Sequence, residues 1–555
     1  MPRWREGSTG EYLEYLLPGC TRGNCPSWAP DLFAITASVL RRTGLYTRLF
    51  DIVAQGPVGG LLPLHWPALA RRLSEEWRLS IGEAFRDGST ASALPPVPPP
   101  LEQDWRLLLS LSDTPMFGAH RVRDEARLRE YTGALLRLCL VADEGAAIAG
   151  AAHKAAVVGL ARERLLASGG RTLGWLVRPE KVRVLPKHRT PYRGLTLRAL
   201  SRSLALIGSD EVDATWTTTR PVGARGSRDP DALHVLVLPW PLRLRDEEFV
   251  AIARPGPFPN PADQTQHFHV VRRPDPEGLL RYAEARLRSA RDAVGEIGMV
   301  VLPELSLTSS ELEVVLDFAK RAGLVLVGGA AISTPDPAGN DHVANVAVVD
   351  TGVGPPHIQR KHHRWRLDRA QIEHYGLADR LRHGEECSEL TEIGPRELRF
   401  FSHRRWLTFC VLVCEDLARQ DPLAEVIRSV GPNLAVVLLL DGPQLSGRWA
   451  SRYASILAED PGCSVLAVTS MGMAERSRPR EAGRTARNEA LVLWRDYALG
   501  ERELSVLPGH DAGVLSLANH PFTVRTADGR GEAAPAFLPT FAGWQSLGGE
   551  RPRRR

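Results

Sequence analysis

At 555 residues the chain is longer than one ordinary domain, and its 43% hydrophobic and 24% charged residues are those of a folded protein with two or three cores, which excludes a disordered or fibrous chain. Its 70 Lys and Arg against 65 Asp and Glu leave a formal charge of only +5, which excludes a generally basic nucleic-acid-coating protein and confines basic surface to local clusters. No apolar run approaches the ~18 residues of a membrane span, and no apolar leader segment follows Met1.

Helical spacing predicts helices over Asp31–Arg42, Ala68–Leu79, Trp105–Leu111, Arg123–Val141 and Ala147–Leu166, so residues 1–171 read as a mainly α-helical domain. Between them, the proline-rich stretch at 93–103 reads as an extended spacer. Residues 172–231 form a basic connecting segment: a strand-like run, a Pro-bounded loop carrying Lys187, His188 and Arg189, an amphipathic helix, then a Gly/Pro/Arg-rich boundary at 221–231. Its charges are better explained as a solvated face than as a phosphate site. From 232 to 535 strands alternate with helices, including Leu279–Val294 and Ser309–Arg321, which argues an α/β domain; an irregular loop falls at 254–263, and 536–555 reads as a flexible tail.

Cysteines at 20, 25, 139, 387, 410, 414 and 463 are odd in number and scattered, so they form no disulfide framework, and a reducing cytoplasm is the simplest setting. Cys20 and Cys25 lack a second Cys/His pair nearby, so no metal site is expected.

Three stretches carry chemistry. The apolar run Leu407–Val413 ends abruptly at Cys414, Glu415 and Asp416, as a buried strand does where it leaves the core. Alternation puts Cys410 on the same strand face, where it reads as an inert core thiol. A second run, Gly298–Pro303, ends at Glu304. In the third, the strand-like Asn345–Asp350 precedes a basic segment holding Lys361. Each alone has a bland reading: a packing thiol, a helix-start acid, a solvated basic face.

Together, "VVLPE", "NVAVVD" with "QRK", and "VLVCED" resemble the carbon–nitrogen hydrolase (nitrilase) superfamily, with similarity running on through "PNLAVVLLLDGP", the helix and strand at 448–472 and a closing strand "EALVLWRD". The resemblance covers residues 232–520 and implies a four-layer α-β-β-α sandwich, homodimers, no metal and no organic cofactor. It also implies Cys414 as nucleophile, Glu304 as general base and acid, and Lys361 as oxyanion stabiliser. Family members often carry a second glutamate between lysine and cysteine; Glu373 is the candidate, with Glu385 and Glu386 behind it. Glu415 and Asp416 are candidates for substrate contact. "CED" is closest to the glutaminase branch attached to NAD synthetases, but no synthetase domain follows in this sequence, and the membrane-bound acyltransferase branch is disfavoured.

The chemistry fits these residue types. An amide carbon is a poor electrophile that calls for a thiolate, a thiol near pKa 8.5 needs a base, and the tetrahedral oxyanion needs a fixed positive donor. The reading is therefore hydrolysis of a small-molecule amide or nitrile through a thioester. Two alternatives stand beside it: acyl transfer to an amine, and a regulatory module that binds a ligand or nucleic acid through its arginine-rich entrance, as part of a bacterial defence system, since the layout of residues 172–207 resembles segments that precede nitrilase-like domains in such proteins.

Overall fold

The computed structural model describes residues 7–51, 60–86, 94–116, 119, 123–147, 154–191, 194–208, 211–219, 231–252, 266–335, 341–381, 386–404, 406–419, 421–477, 490–531 and 536–548. It is a mixed α/β structure with several sheets, divided into two units. One holds Met1–Thr217, Glu425–Pro432 and Pro521–Ala536; the other holds Thr218–Ala424, Asn433–His520 and Phe537–Arg555. The division falls at 217/218 rather than at 171 or 231.

In the first unit, helices span Thr9–Leu16, Ala29–Thr43, Trp66–Arg86, Pro99–Ser110, Glu125–Gly145 and Lys154–Ala167. Their ends follow local chemistry. Ser8 and Glu11 exchange side-chain and backbone hydrogen bonds at the first helix start, Asp124 accepts from the Arg127 amide, and Gly44 at φ 71° ends Ala29–Thr43. Two expectations are corrected here. The proline-rich spacer turns helical at Pro99, because proline suits the first helical turn, whose amides need no helical partner. The amphipathic helix of the connecting segment is one turn, Leu197–Leu200, followed by the strand Leu204–Ile207, which pairs antiparallel with Arg183–Pro186.

This unit is also held by a buried charge. Arg530 donates to the carbonyls of Leu140 and Leu200 and to the carboxylates of Asp143, Glu144 and Asp528. Asp143 in turn accepts the amides of Arg202, Ser203 and Leu204. Arg202 pairs with Glu144 as well, so each of these buried charges has a partner of opposite sign where burial would otherwise penalise it.

The second unit carries two large sheets. In the first, the order is His357–Arg360, Asp341–Asp350, Val325–Pro335, Met299–Leu307, Ala232–Val237, His510–Phe522, Ala536–Gly548. In the second, the strands of this unit run Gly500–Ser505, Ala490–Asp496, Ser464–Thr469, Leu434–Leu439, Leu407–Val413, Glu397–His403. Parallel neighbours at the centre of each sheet are continuous Val/Leu/Ala runs, as strands covered on both faces require. Met299–Leu307 faces Leu434–Leu439 and Ser464–Thr469, so the ends of the Glu304 and Cys414 strands converge. Helices Pro276–Val294 and Ser309–Ala322 pack on the first sheet through Leu279, Ala283, Leu287, Val315 and Phe318.

Residues 536–548 correct the expected tail: they form an edge strand beside His510–Phe522. Likewise "EALVLWRD" is followed by three further strands rather than closing the fold. The loop at 254–263 and the boundary at 221–230 lie outside the described residues. Among the described residues no helix is long and apolar enough to cross a membrane, and no group of three His, Cys, Asp or Glu side chains is placed to hold a metal.

Candidate active site

Glu304 is aimed by an irregularity in its own strand. Met299–Leu307 runs on past the carboxylate instead of ending there, and its pairing with Val325–Pro335 slips between Leu302 and Leu307. Leu305 adopts φ 49°, and Gly329 on the neighbouring strand lies so close that a Cβ there would sit 2.4 Å from the Glu304 Cα. The glycine is what lets the bulge press against its neighbour.

Lys361 follows the edge strand His357–Arg360, its amide bound to the Asn345 carbonyl at 2.8 Å. Its side chain is 0% exposed and its ammonium sits between two carboxylates, 2.7 Å from Glu304 Oε1 and 2.6 Å from Glu389 Oε2. Asn345 Nδ2 donates to both acids as well, at 2.7 Å to Glu304 Oε1 and 2.8 Å to Glu389 Oε1. The Leu440 amide holds Glu304 Oε2 at 2.8 Å, and the Trp365 amide holds Glu389 Oε2 at 3.0 Å. Each carboxylate is thus fixed by donors on both oxygens.

The two acids are driven apart. Burial, with the negative Glu389 beside it, raises Glu304 above the usual carboxylate range despite Lys361. For Glu389 burial is outweighed by Lys361, Asn345 and the Trp365 amide, and its carboxyl is held below that range. Burial disfavours the Lys361 charge too, but Glu304 and Glu389 overcome it and hold the ammonium firmly protonated. One shared cation between two carboxylates leaves Glu304 as the better proton acceptor.

Cys414 ends Leu407–Val413 in a sharp turn, at φ 48° and ψ −109°, and opens the one-turn helix Glu415–Ala418. Its thiol is 2% exposed; burial and the Glu304 carboxylate push it well above the ordinary thiol value, while Lys361 pulls the other way. Burial and the nearby carboxylate thus favour the thiol over the thiolate. Cys410, two residues earlier, is raised by burial alone to about 12, as an inert core thiol should be.

The turn is anchored from below. Asp416 is buried and accepts the amides of His362 (3.1 Å) and His363 (3.0 Å), and its Oδ1 lies 3.1 Å from His363 Nδ1. Its oxygens tie the Cys414 turn to the Lys361 segment. Glu415 is part-exposed and pairs with Arg419. Glu373 is corrected: it lies on the short helix Arg369–His374 and makes an exposed pair with Arg369. Glu386 pairs with Arg366 at the surface, and Glu385 lies outside the described residues.

The second carboxylate beside Lys361 is instead Glu389. It lies on Glu386–Glu389, a strand antiparallel to Arg366–Asp368, which brings the chain back beside the lysine segment. The alternation of "ECSE", with Cys387 and Glu389 inward, was the available signal. Asn345 was legible only as the polar start of an apolar strand.

The structure matches members of the nitrilase, or carbon–nitrogen hydrolase, superfamily over about half of the chain, and the rest is unmatched. Among them are a nitrilase-superfamily protein of Saccharomyces cerevisiae (14% identity, TM-score 0.29, covering 50% of this chain and 87% of that one) and a superfamily member of Xanthomonas campestris with an arsenic adduct in its active site (17%, 0.29, 51% and 89%). Glutamine-dependent NAD+ synthetase of Acinetobacter baumannii also matches (12%, 0.29, 50% and 48%). No protein-family model and no curated protein matches the sequence.

Proposed function

We propose that the second unit hydrolyses a non-peptide carbon–nitrogen bond, an amide or nitrile of a small molecule, through a thioester on Cys414, and that its two facing sheets with their helices are the four-layer sandwich of that class. The observation that carries this reading is the fully buried Lys361 ammonium held between Glu304 and Glu389 beside a thiol at a sharp strand-end turn. Buried charges are expensive, and an arrangement this costly around a nucleophile is a candidate reaction centre.

For an amide, Cys414 Sγ attacks the carbonyl carbon while its proton passes to Glu304. A carbon–sulfur bond forms, and the carbonyl electron pair moves to oxygen, where Lys361 and the amide of Glu415 stabilise it. Glu304 then gives its proton to the nitrogen, the carbon–nitrogen bond breaks, and the amine or ammonia leaves. Water attacks the thioester as Glu304 takes its proton; the carbon–sulfur bond breaks and the thiol is re-protonated. Glu389 and Asn345 keep Lys361 and Glu304 in register throughout.

The test is ammonia release from a panel of amides, nitriles and glutamine, with Cys414→Ala as the control and hydroxylamine as a trap. Wild type releases ammonia and yields a hydroxamate from the trapped acyl group. A folded Cys414→Ala with equal turnover would sink the mechanism.

A further inference from the structure

A second cleft of about 850 Å³ lies in the same unit, where the segment after Ala232–Val237 (residues 240–245), the segment before Pro276–Val294 (272–275) and the helix Met471–Arg476 meet. Five arginines line it: Arg243, Arg245, Arg272, Arg273 and Arg476. Two of them are built in. The Arg272 side chain is 6% exposed, lies over the Trp240 ring, and pairs with Glu311. Arg476 is 9% exposed, lies over Phe249, and is tethered to the Leu244 carbonyl and Asp246.

These tethers leave donors over. Among the described residues, Arg272 Nε, Arg476 Nε and Nη2, and Trp240 Nε1 are buried and have no hydrogen-bond partner. All of them are N–H groups, so the residues that line the cleft carry spare donors. A buried donor without a partner is destabilising, and a guanidinium's fork matches an oxyanion's paired oxygens. At the rim, Arg243, Arg245 and Arg273 are exposed and have no ion-pair partner among the described residues. Two of the acids in the cleft are engaged by backbone amides: Glu248 by those of Arg245 and Arg273, and Asp275 by that of Gly278 at the start of the following helix.

We propose that this cleft is a binding site for a small polyvalent oxyanion, a phosphate-bearing or polycarboxylate compound, seated on Arg272, Arg476 and Trp240 and gathered by the rim arginines. The aromatic faces of Trp240 and Phe249 keep the two buried guanidiniums flat and ordered before the ligand arrives, so little side-chain freedom is lost on binding. The site involves none of Glu304, Lys361, Glu389 or Cys414 and stands whether or not the hydrolase reading holds.

The test is calorimetric titration of the full chain with inorganic pyrophosphate and, separately, succinate, at constant ionic strength set with sodium chloride. The variant is Arg243→Glu with Arg273→Glu, both exposed; Arg243→Gln serves if the double variant does not fold. Wild type binds pyrophosphate, and the double variant weakens it by at least about tenfold with an unchanged melting temperature. Binding of succinate alone, lost in the same variant, supports the site and assigns it to carboxylates. Binding of neither anion, or equal binding by the double variant, overturns the proposal.

Discussion

Glu389→Gln is the most informative perturbation of the buried cluster, because an isosteric change there is not a mild one. Glu389 Oε1 accepts from Asn345 Nδ2, and Oε2 accepts from Lys361 Nζ and the Trp365 amide. An amide in either orientation therefore turns its NH2 onto a donor, stranding at least one buried group at about 1–3 kcal/mol. The electrostatic change is as large. Both carboxylates hold the same Nζ, at 2.7 and 2.6 Å, so their bonded oxygens lie within about 5 Å of each other. At an effective dielectric of ~20 their repulsion is worth about 3 kcal/mol, and it vanishes in the variant. Glu304 then keeps Lys361 to itself, ionises more readily, and becomes a weaker base. Iodoacetamide alkylation of Cys414 across pH, read by peptide mass spectrometry beside a thermal melt, measures both effects. The variant should melt a few degrees lower, react about tenfold or more slowly at neutral pH, and show its acid limb at lower pH. A wild-type melting temperature with an unchanged pH profile would refute the coupling of Glu389 to Glu304 through Lys361.

In the wild type, Glu304 must be ionised to accept the thiol proton, and its carboxyl is raised, so turnover should fall as pH drops through a value above the ordinary ~4.3 of glutamate, as a pH–rate profile would show. Lys361→Met should abolish turnover and also destabilise the second unit by about 3–5 kcal/mol, because two carboxylates are left buried without their cation; denaturant unfolding reports the second effect, and wild-type stability would contradict it. Arg530→Met should unfold the first unit at lower denaturant for the same reason, by about 3–5 kcal/mol, while Cys414 alkylation stays at the wild-type rate.

Glu304, Lys361 and Cys414 could be picked out of the sequence because Glu304 and Cys414 each follow an apolar run directly and Lys361 lies in a basic segment just beyond another. The helix read as Ser309–Arg321 from its apolar spacing spans Ser309–Ala322, with Thr308 and Glu311 at its start and Gly323, at φ 70°, at its end. Glu389 could not be found that way. It reaches Lys361 through a small sheet, where Glu386–Glu389 pairs antiparallel with Arg366–Asp368 and parallel with Gln266–Val270, more than a hundred residues earlier. Strand partners so far apart leave no periodic trace, and Glu373 drew the assignment only because it is nearer in the chain. The bonds of Asp416 to the amides of His362 and His363 were equally out of reach, because an acid at a strand end looks free in sequence. The edge strand Ala536–Gly548 was taken into the expected tail; it carries Pro539, which a sheet edge tolerates.

The backbone at Cys414, with φ 48°, has an evolutionary consequence. A residue with a Cβ in that conformation costs on the order of 1–3 kcal/mol, and glycine alone escapes the cost. Folding and chemistry therefore pull this position in opposite directions: selection for stability would replace the thiol with glycine, and only a use for sulfur would keep it. Under the proposed reaction, descendants that had lost it would be released from keeping a strained thiol at 414, so the identity of this one residue would tell silent copies from working ones.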